Sequence, residues 1–164
     1  MAVPPQVTFR AFLRRRDYVS GSQAAVAMLP GSLRQQGFHL FWRRWNPYCG
    51  YILFQLYRRS GDRKPTAVFW IFALSGFWFH DVLIYVLLGR FSLVFTVAFL
   101  FYACVYVASL RRHSPLRRLY RRQDVPPVLM NLGLLFSGLL LGCLVNYPIF
   151  PGFFVFPRFP IIIS

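Results

Sequence analysis

From Met1 to Thr66, short apolar blocks are broken again and again by arginines, whereas from Ala67 onward come long stretches with almost no polar positions. Three windows are apolar over bilayer length: Ala67 to Leu88, Phe91 to Leu110, and Val128 to about Tyr147. A spanning helix needs about 20 such residues, and only a helix can satisfy its own backbone across lipid in a single segment. The pattern predicts an all-α integral membrane protein with about three transmembrane helices. Gly89-Arg90 alone joins the first two windows, which predicts a tight antiparallel hairpin, while RRHSPLRRLYRRQDVPP separates the second from the third.

Before the spans, FHLFWRRWNPYCGYILFQLY (residues 38 to 57) is too polar at Arg43, Arg44 and Asn46 to cross, yet rich in Trp and Tyr. It reads as an interfacial amphipathic helix lying in the membrane plane and interrupted at Pro47. The chain thus divides into a basic, weakly patterned cytoplasmic lead-in (1–37), an interfacial segment with a basic loop (38–66), a three-span module (67–147) and an outer tail (148–164). In that tail, Pro148, Pro151, Pro157 and Pro160 oppose a regular helix.

Composition agrees with lipid burial. A chain of 164 residues that is 57% hydrophobic and 20% aromatic, with mean hydropathy +0.47, carries more apolar surface than one small soluble core can hide. The net charge of +15 sits between apolar runs of bilayer length, not on a soluble aromatic platform, so membrane placement explains it better than nucleic acid. Arg58, Arg59, Arg63 and Lys64 precede the first span and Arg111 to Arg122 follow the second, against Arg90 and Arg158 on the other side. The positive-inside rule therefore predicts a cytoplasmic N-terminus and an outside or lumenal C-terminus. Arg14 to Arg16 suit anionic headgroups, or form a solvated charge run. No cleaved targeting signal is visible, and the scattered Cys49, Cys104 and Cys143 predict neither a disulfide nor a metal site.

The polar exceptions inside the spans are candidates for chemistry. His80 lies about 20 Å along the first span from Ala67, at membrane depth, where ionisable groups are costly and face protein or water. Asp81 points about 100° away on the same helix, so Tyr85 or an arginine from elsewhere is its expected partner. In the third span, Gly138 and Gly142 set a GxxxG spacing continued by Asn146, which predicts close helix packing within the chain ahead of dimerisation.

FWRRWN (Phe41 to Asn46) resembles the cytosolic signature of the membrane-bound O-acyltransferase family, an aromatic-Trp-Arg-Arg-Trp run ending in Asn or His. SGFWFHD (Ser75 to Asp81) resembles the family's second signature, a histidine inside a hydrophobic helix, and both its order and its spacing from Asn46 fit. Asparagine at position 46 is similar to the lipid-acylating branch, which includes diacylglycerol acyltransferases and wax synthases. The resemblance implies acyl transfer from acyl-CoA, a co-substrate with no bound cofactor, to a lipid or alcohol hydroxyl. It implies His80 as general base and Asn46 as hydrogen-bond donor to the thioester carbonyl. Arg43, Arg44, Arg58 and Arg59 lie where CoA phosphates would approach, although topology alone also calls for arginines there. The family's enzymes use eight or more spans, so the resemblance implies a C-terminal portion of such an enzyme, a reduced relative, or a component of a larger assembly in which a partner chain or homo-oligomer supplies the rest. The alternative is a non-catalytic membrane scaffold or lipid-binding subunit, in which His80 and Asp81 make polar contacts between helices; a proton or ion pathway ranks behind both.

Overall fold

The computed structural model of the chain describes residues 7–16, 18, 20–59, 65–111, 113–121 and 125–150, with the side chains of 56–59 and 65 outside that description. The outer tail from Pro151 onward, and with it Arg158, lies outside the described residues, as do Arg63 and Lys64 of the basic loop. Every regular element among the described residues is a helix. The lead-in carries two of them, α1 (Phe9–Arg14) and α2 (Gly21–Leu33), where the sequence showed little pattern. Both begin at a hydroxyl cap: Thr8 accepts from Ala11 N–H at 3.3 Å and Ser20 from Gln23 N–H at 3.2 Å. Neighbouring helices stabilise them by burying Phe12, Leu13 and Ala24.

The segment over residues 38–57 is two helices, α3 (Phe38–Arg44) and α4 (Pro47–Arg59), broken at Trp45-Asn46 just before Pro47. Phe38 and Phe41 on α3 are fully buried in the main apolar cluster, together with Ala98 and Tyr102. α1 leans on α4 through rings: Phe9 against Tyr48 and Tyr51, and Phe12 against Tyr51 and Phe54.

The apolar module is one long helix, a shorter central one and a second long one. α5 (Pro65–Gly76) passes through a π-helical turn at Phe77–Asp81 into α6 (Val82–Leu88), giving 23 continuous residues from Thr66 to Leu88. α7 (Val94–Leu110) is followed by the short α8 (Pro115–Arg121), and α9 (Pro127–Ile149) closes the described chain. Thr66–Leu88 and Pro127–Ile149 are long and apolar enough to cross a membrane. α7 has 17 residues, about 25 Å, and joins them as a third span only if taken with α8, which bends away by 75°. Two to three candidate spans therefore stand where about three were expected. Apolar side chains such as Trp70, Val86, Leu87 and Phe136 stand out from the module, a surface suited to lipid or another apolar surface.

α7 is the central element, with α5 on one side, α9 on the other and α3 across its far end. Glycines permit both close approaches. A Cβ on Gly76 would sit 2.6 Å from Phe95 O, one on Gly142 would collide with Val94 O, and one on Gly138 with the Tyr102 ring. The Gly138–Gly142–Asn146 stripe thus serves packing inside the chain. The hairpin linker runs from Gly89, in the left-handed conformation at φ +64°, to Leu93, longer than the Gly89-Arg90 pair expected. At the other end of the third span, the helix continues past the predicted end at Tyr147, through Pro148 to Ile149.

Candidate functional site

The break between α3 and α4 builds one wall of the site. Asn46 is in the left-handed region at φ +36°, which asparagine tolerates better than most residues. Its Oδ1 accepts the Cys49 N–H at 3.1 Å and its carbonyl accepts the Gly50 N–H at 2.8 Å, so it caps α4. This uses the acceptor oxygen and leaves the amide NH2 without a protein partner among the described residues.

Arg43 and Arg44 part company, because neighbouring positions on a helix point about 100° apart. Arg43 faces inward and lines a cavity, whereas the Arg44 guanidinium turns to the Tyr18 ring, 5.9 Å from its centroid. In place of Arg44 the cavity receives Arg16, for which the sequence suggested either anionic headgroups or a solvated charge run. Arg16 Nε donates to Arg43 O at 2.6 Å, and its guanidinium lies 3.5 Å from the centroid of the Phe12 ring. Burial, and then the neighbouring Arg43 charge, lower its pKa to about 10. Arg58 and Arg59 end α4, and their side chains lie outside the described residues.

The opposite wall is the π-helical turn. Widening by one residue sends the Val82 N–H to Phe77 O and brings His80 Nδ1 within 3.1 Å of Ser75 O. A carbonyl can only accept, so Nδ1 carries a proton, and in the neutral ring the lone pair sits on Nε2, which has no protein partner among the described residues. The ring is held between Phe95 and Phe99, with centroids 5.1 and 4.8 Å away.

Asp81 does something else, and its partners are not those expected. One carboxylate oxygen accepts Phe95 N–H at 3.0 Å, and the other accepts Thr96 N–H and Thr96 Oγ1–H, each at 2.7 Å. Neither Tyr85 nor an arginine is involved. Asp81 is the N-terminal cap of α7 delivered from the adjacent helix, an anion at the positive end of the helix dipole. Asn146 completes the clamp by accepting Leu93 N–H at 2.7 Å while donating to Gly142 O at 3.0 Å. These bonds explain why α7 begins at Val94, although the apolar run begins at Phe91: the chain turns where two other helices supply acceptors.

Asn46, Arg43, Arg16 and His80 all line one cavity of about 430 Å³, which also meets Ser75, Cys49 and Tyr106 and is otherwise walled by aromatic and aliphatic side chains. It follows α5 from Val68 to His80, about 18 Å at the helical rise. Arginines therefore stand on the α1 and α3 side, and a histidine with a free ring nitrogen stands on the wall formed by the π-helical turn. The Cys49 thiol has its pKa raised by burial, which favours the protonated form over a nucleophilic thiolate.

Two polar anchors escaped the sequence reading. Asn131, fully buried near the start of α9, donates to Leu33 O at 2.8 Å and Gln35 O at 3.0 Å and accepts from Tyr120 OH at 2.6 Å. Burial pushes the Tyr120 pKa up, keeping its proton in that bond. The signal available was a second asparagine on the third span, about four helical turns before Asn146 and hence on the same face. Ser109, at the end of α7, binds His39. Among the described residues no group of three His, Cys, Asp or Glu side chains could hold a metal ion. No protein-family model, curated protein or solved structure matches the chain, and the chemistry of this cavity carries the functional reading.

Proposed function

We propose that this chain is a membrane-bound O-acyltransferase that moves an acyl group from acyl-CoA to a lipid or alcohol hydroxyl. The observation that carries the reading is that Asn46 and His80, from segments well separated in the chain, line the same cavity, with His80 Nε2 left as a base. His80 takes the proton of the acceptor hydroxyl as its oxygen attacks the thioester carbonyl. The tetrahedral intermediate collapses with loss of the CoA thiolate, which recovers the proton from the imidazolium. The Asn46 amide NH2 donates to the carbonyl oxygen as negative charge develops there. Arg43 and Arg16 meet the phosphates of CoA, with guanidinium forks suited to that geometry.

The reading includes a cytoplasmic arginine-rich end, an outside C-terminus, and α4 lying at the membrane interface. It also includes a second copy or partner chain against the apolar outer faces of Thr66–Leu88 and Pro127–Ile149, which completes the reaction chamber.

Transfer of labelled acyl-CoA to a panel of diacylglycerols and long-chain alcohols, with purified protein and any partner it copurifies with, tests the proposal. His80→Gln keeps hydrogen-bonding capacity but removes the base, so turnover falls by roughly two to four orders of magnitude. Thermal stability in detergent changes much less. Undiminished turnover in the variant removes His80 from catalysis, and a wild type with no transfer on any acceptor favours the scaffold or lipid-binding subunit.

A further inference from the structure

The far end of α7 carries a second concave site that acyl transfer does not use. A cleft of about 200 Å³ lies between α3, the end of α7 and α8, lined by His39, Ser109, Arg117, Arg121 and Gln36 among others. We propose that it binds a phosphate group, carried by an anionic lipid headgroup or by a soluble phosphate.

Three observations converge on an anion. Among the described residues no carboxylate lines the cleft, and the one acidic residue among them, Asp81, is occupied at the opposite end of α7. The C-terminus of α7 offsets only about half a charge, against two lining guanidinium groups. The hydroxyl and imidazole add an acceptor beside the guanidinium groups, as a phosphate that keeps one proton requires. Ser109 Oγ gives its proton to Tyr106 O at 2.7 Å and therefore accepts from His39 Nδ1 at 3.2 Å, which leaves Nε2 of the neutral His39 ring as an acceptor for a phosphate oxygen that keeps its proton. Burial and then the Arg117 and Arg43 charges lower the His39 pKa, which favours the neutral ring with Nε2 as an acceptor.

The cleft is also built. Asn131 grips the end of α2 through Leu33 O and Gln35 O and holds α8 through Tyr120 OH, so one buried amide sets the distance between the Gln36 side and the arginine side. A phosphate's three terminal oxygens match two guanidinium forks in a way that a single carboxylate does not.

The test titrates the full-length protein in detergent with phosphatidic acid and, separately, with diacylglycerol, which has the same tails and no phosphate. Binding is read by native mass spectrometry, with and without inorganic phosphate as competitor. Wild type should prefer phosphatidic acid, and R117Q/R121Q should reduce that preference by about tenfold or more. R111Q/R118Q, which removes two exposed arginines outside the cleft, should leave it within about twofold. Should R117Q/R121Q fold poorly, R117K/R121K keeps charge but loses the forks and should still weaken the preference several-fold. Displacement by inorganic phosphate identifies a site open to soluble phosphates, and its failure to displace identifies a headgroup site. Equal losses in the two glutamine pairs, or no loss in R117Q/R121Q, overturn the proposal.

Discussion

The two ends of α7 solve opposite electrostatic problems. At its start, inside the apolar module, the backbone N–H groups of Leu93, Phe95 and Thr96 all find acceptors, and every one comes from another helix: Asp81 on one side, Asn146 on the other. The negative charge and the helix dipole cancel locally, as burial away from water demands. At its finish, arginines and a histidine gather, and among the described residues no carboxylate lines the cleft between them. The buried end must be satisfied by the chain itself, whereas the arginine-rich end can be satisfied by water or by a ligand. A sequence-adjacent pair shows the same division in miniature, since Asp81 is consumed by structure and its neighbour His80 is left with a free nitrogen in the cavity.

The sharpest way to break this contrast is Asp81→Ala, which leaves two backbone N–H groups and the Thr96 hydroxyl without an acceptor. At about 1 kcal/mol or more for each buried orphan, the loss is roughly 3 kcal/mol or more. Detergent-solubilised protein should show a large drop in Tm, and an unchanged Tm would mean that water reaches this end of α7. Asn131→Ala strikes the other end and should cost about 2 kcal/mol, because Tyr120 OH can still find water near the cleft. Its signature is regional: hydrogen exchange should rise in α8 and at the end of α2, with the start of α7 as protected as in wild type.

The smallest effect is one of pH. His39 has a folded-state pKa below its ordinary value of 6.5, because burial, Arg117 and Arg43 disfavour the charged ring. The unfolded chain therefore binds the proton more readily. Stability is highest above about pH 6.5 and is lost as the pH falls through that value toward the lowered folded pKa. His39→Gln should flatten that acid limb in a Tm-versus-pH series, and an identical slope in wild type and variant would remove His39 as its source.

Much of the apolar helical module was legible because helices of bilayer length follow from apolar composition. The break at Asn46-Pro47 was legible too, since proline has no N–H to continue a helix. The start of α7 was not, because Phe91 to Leu93 are apolar enough for a helix and only the acceptors on Asp81 and Asn146 decide where it begins. Arg43 and Arg44 could not be told apart by type or by charge. Which of them lines the cavity depends on the rotation of α3, set by burial of Phe38 and Phe41. Arg16 looked like one of three equivalent arginines until its Nε donated to Arg43 O.

By itself, the order of residues determined a helical chain with two to three apolar candidate spans, a basic end, a histidine inside an apolar run and an asparagine before a proline, because each follows from local chemistry: hydropathy over bilayer length, charge placement and missing backbone donors. Only the tertiary structure decided that Asn46 and His80 share one cavity, that Asp81 caps a neighbouring helix, and that Asn131 ties α2 to α8 beside a basic cleft. Those outcomes depend on how far each helix turns about its axis and how closely glycines let helices meet, quantities fixed by packing between segments distant in the chain.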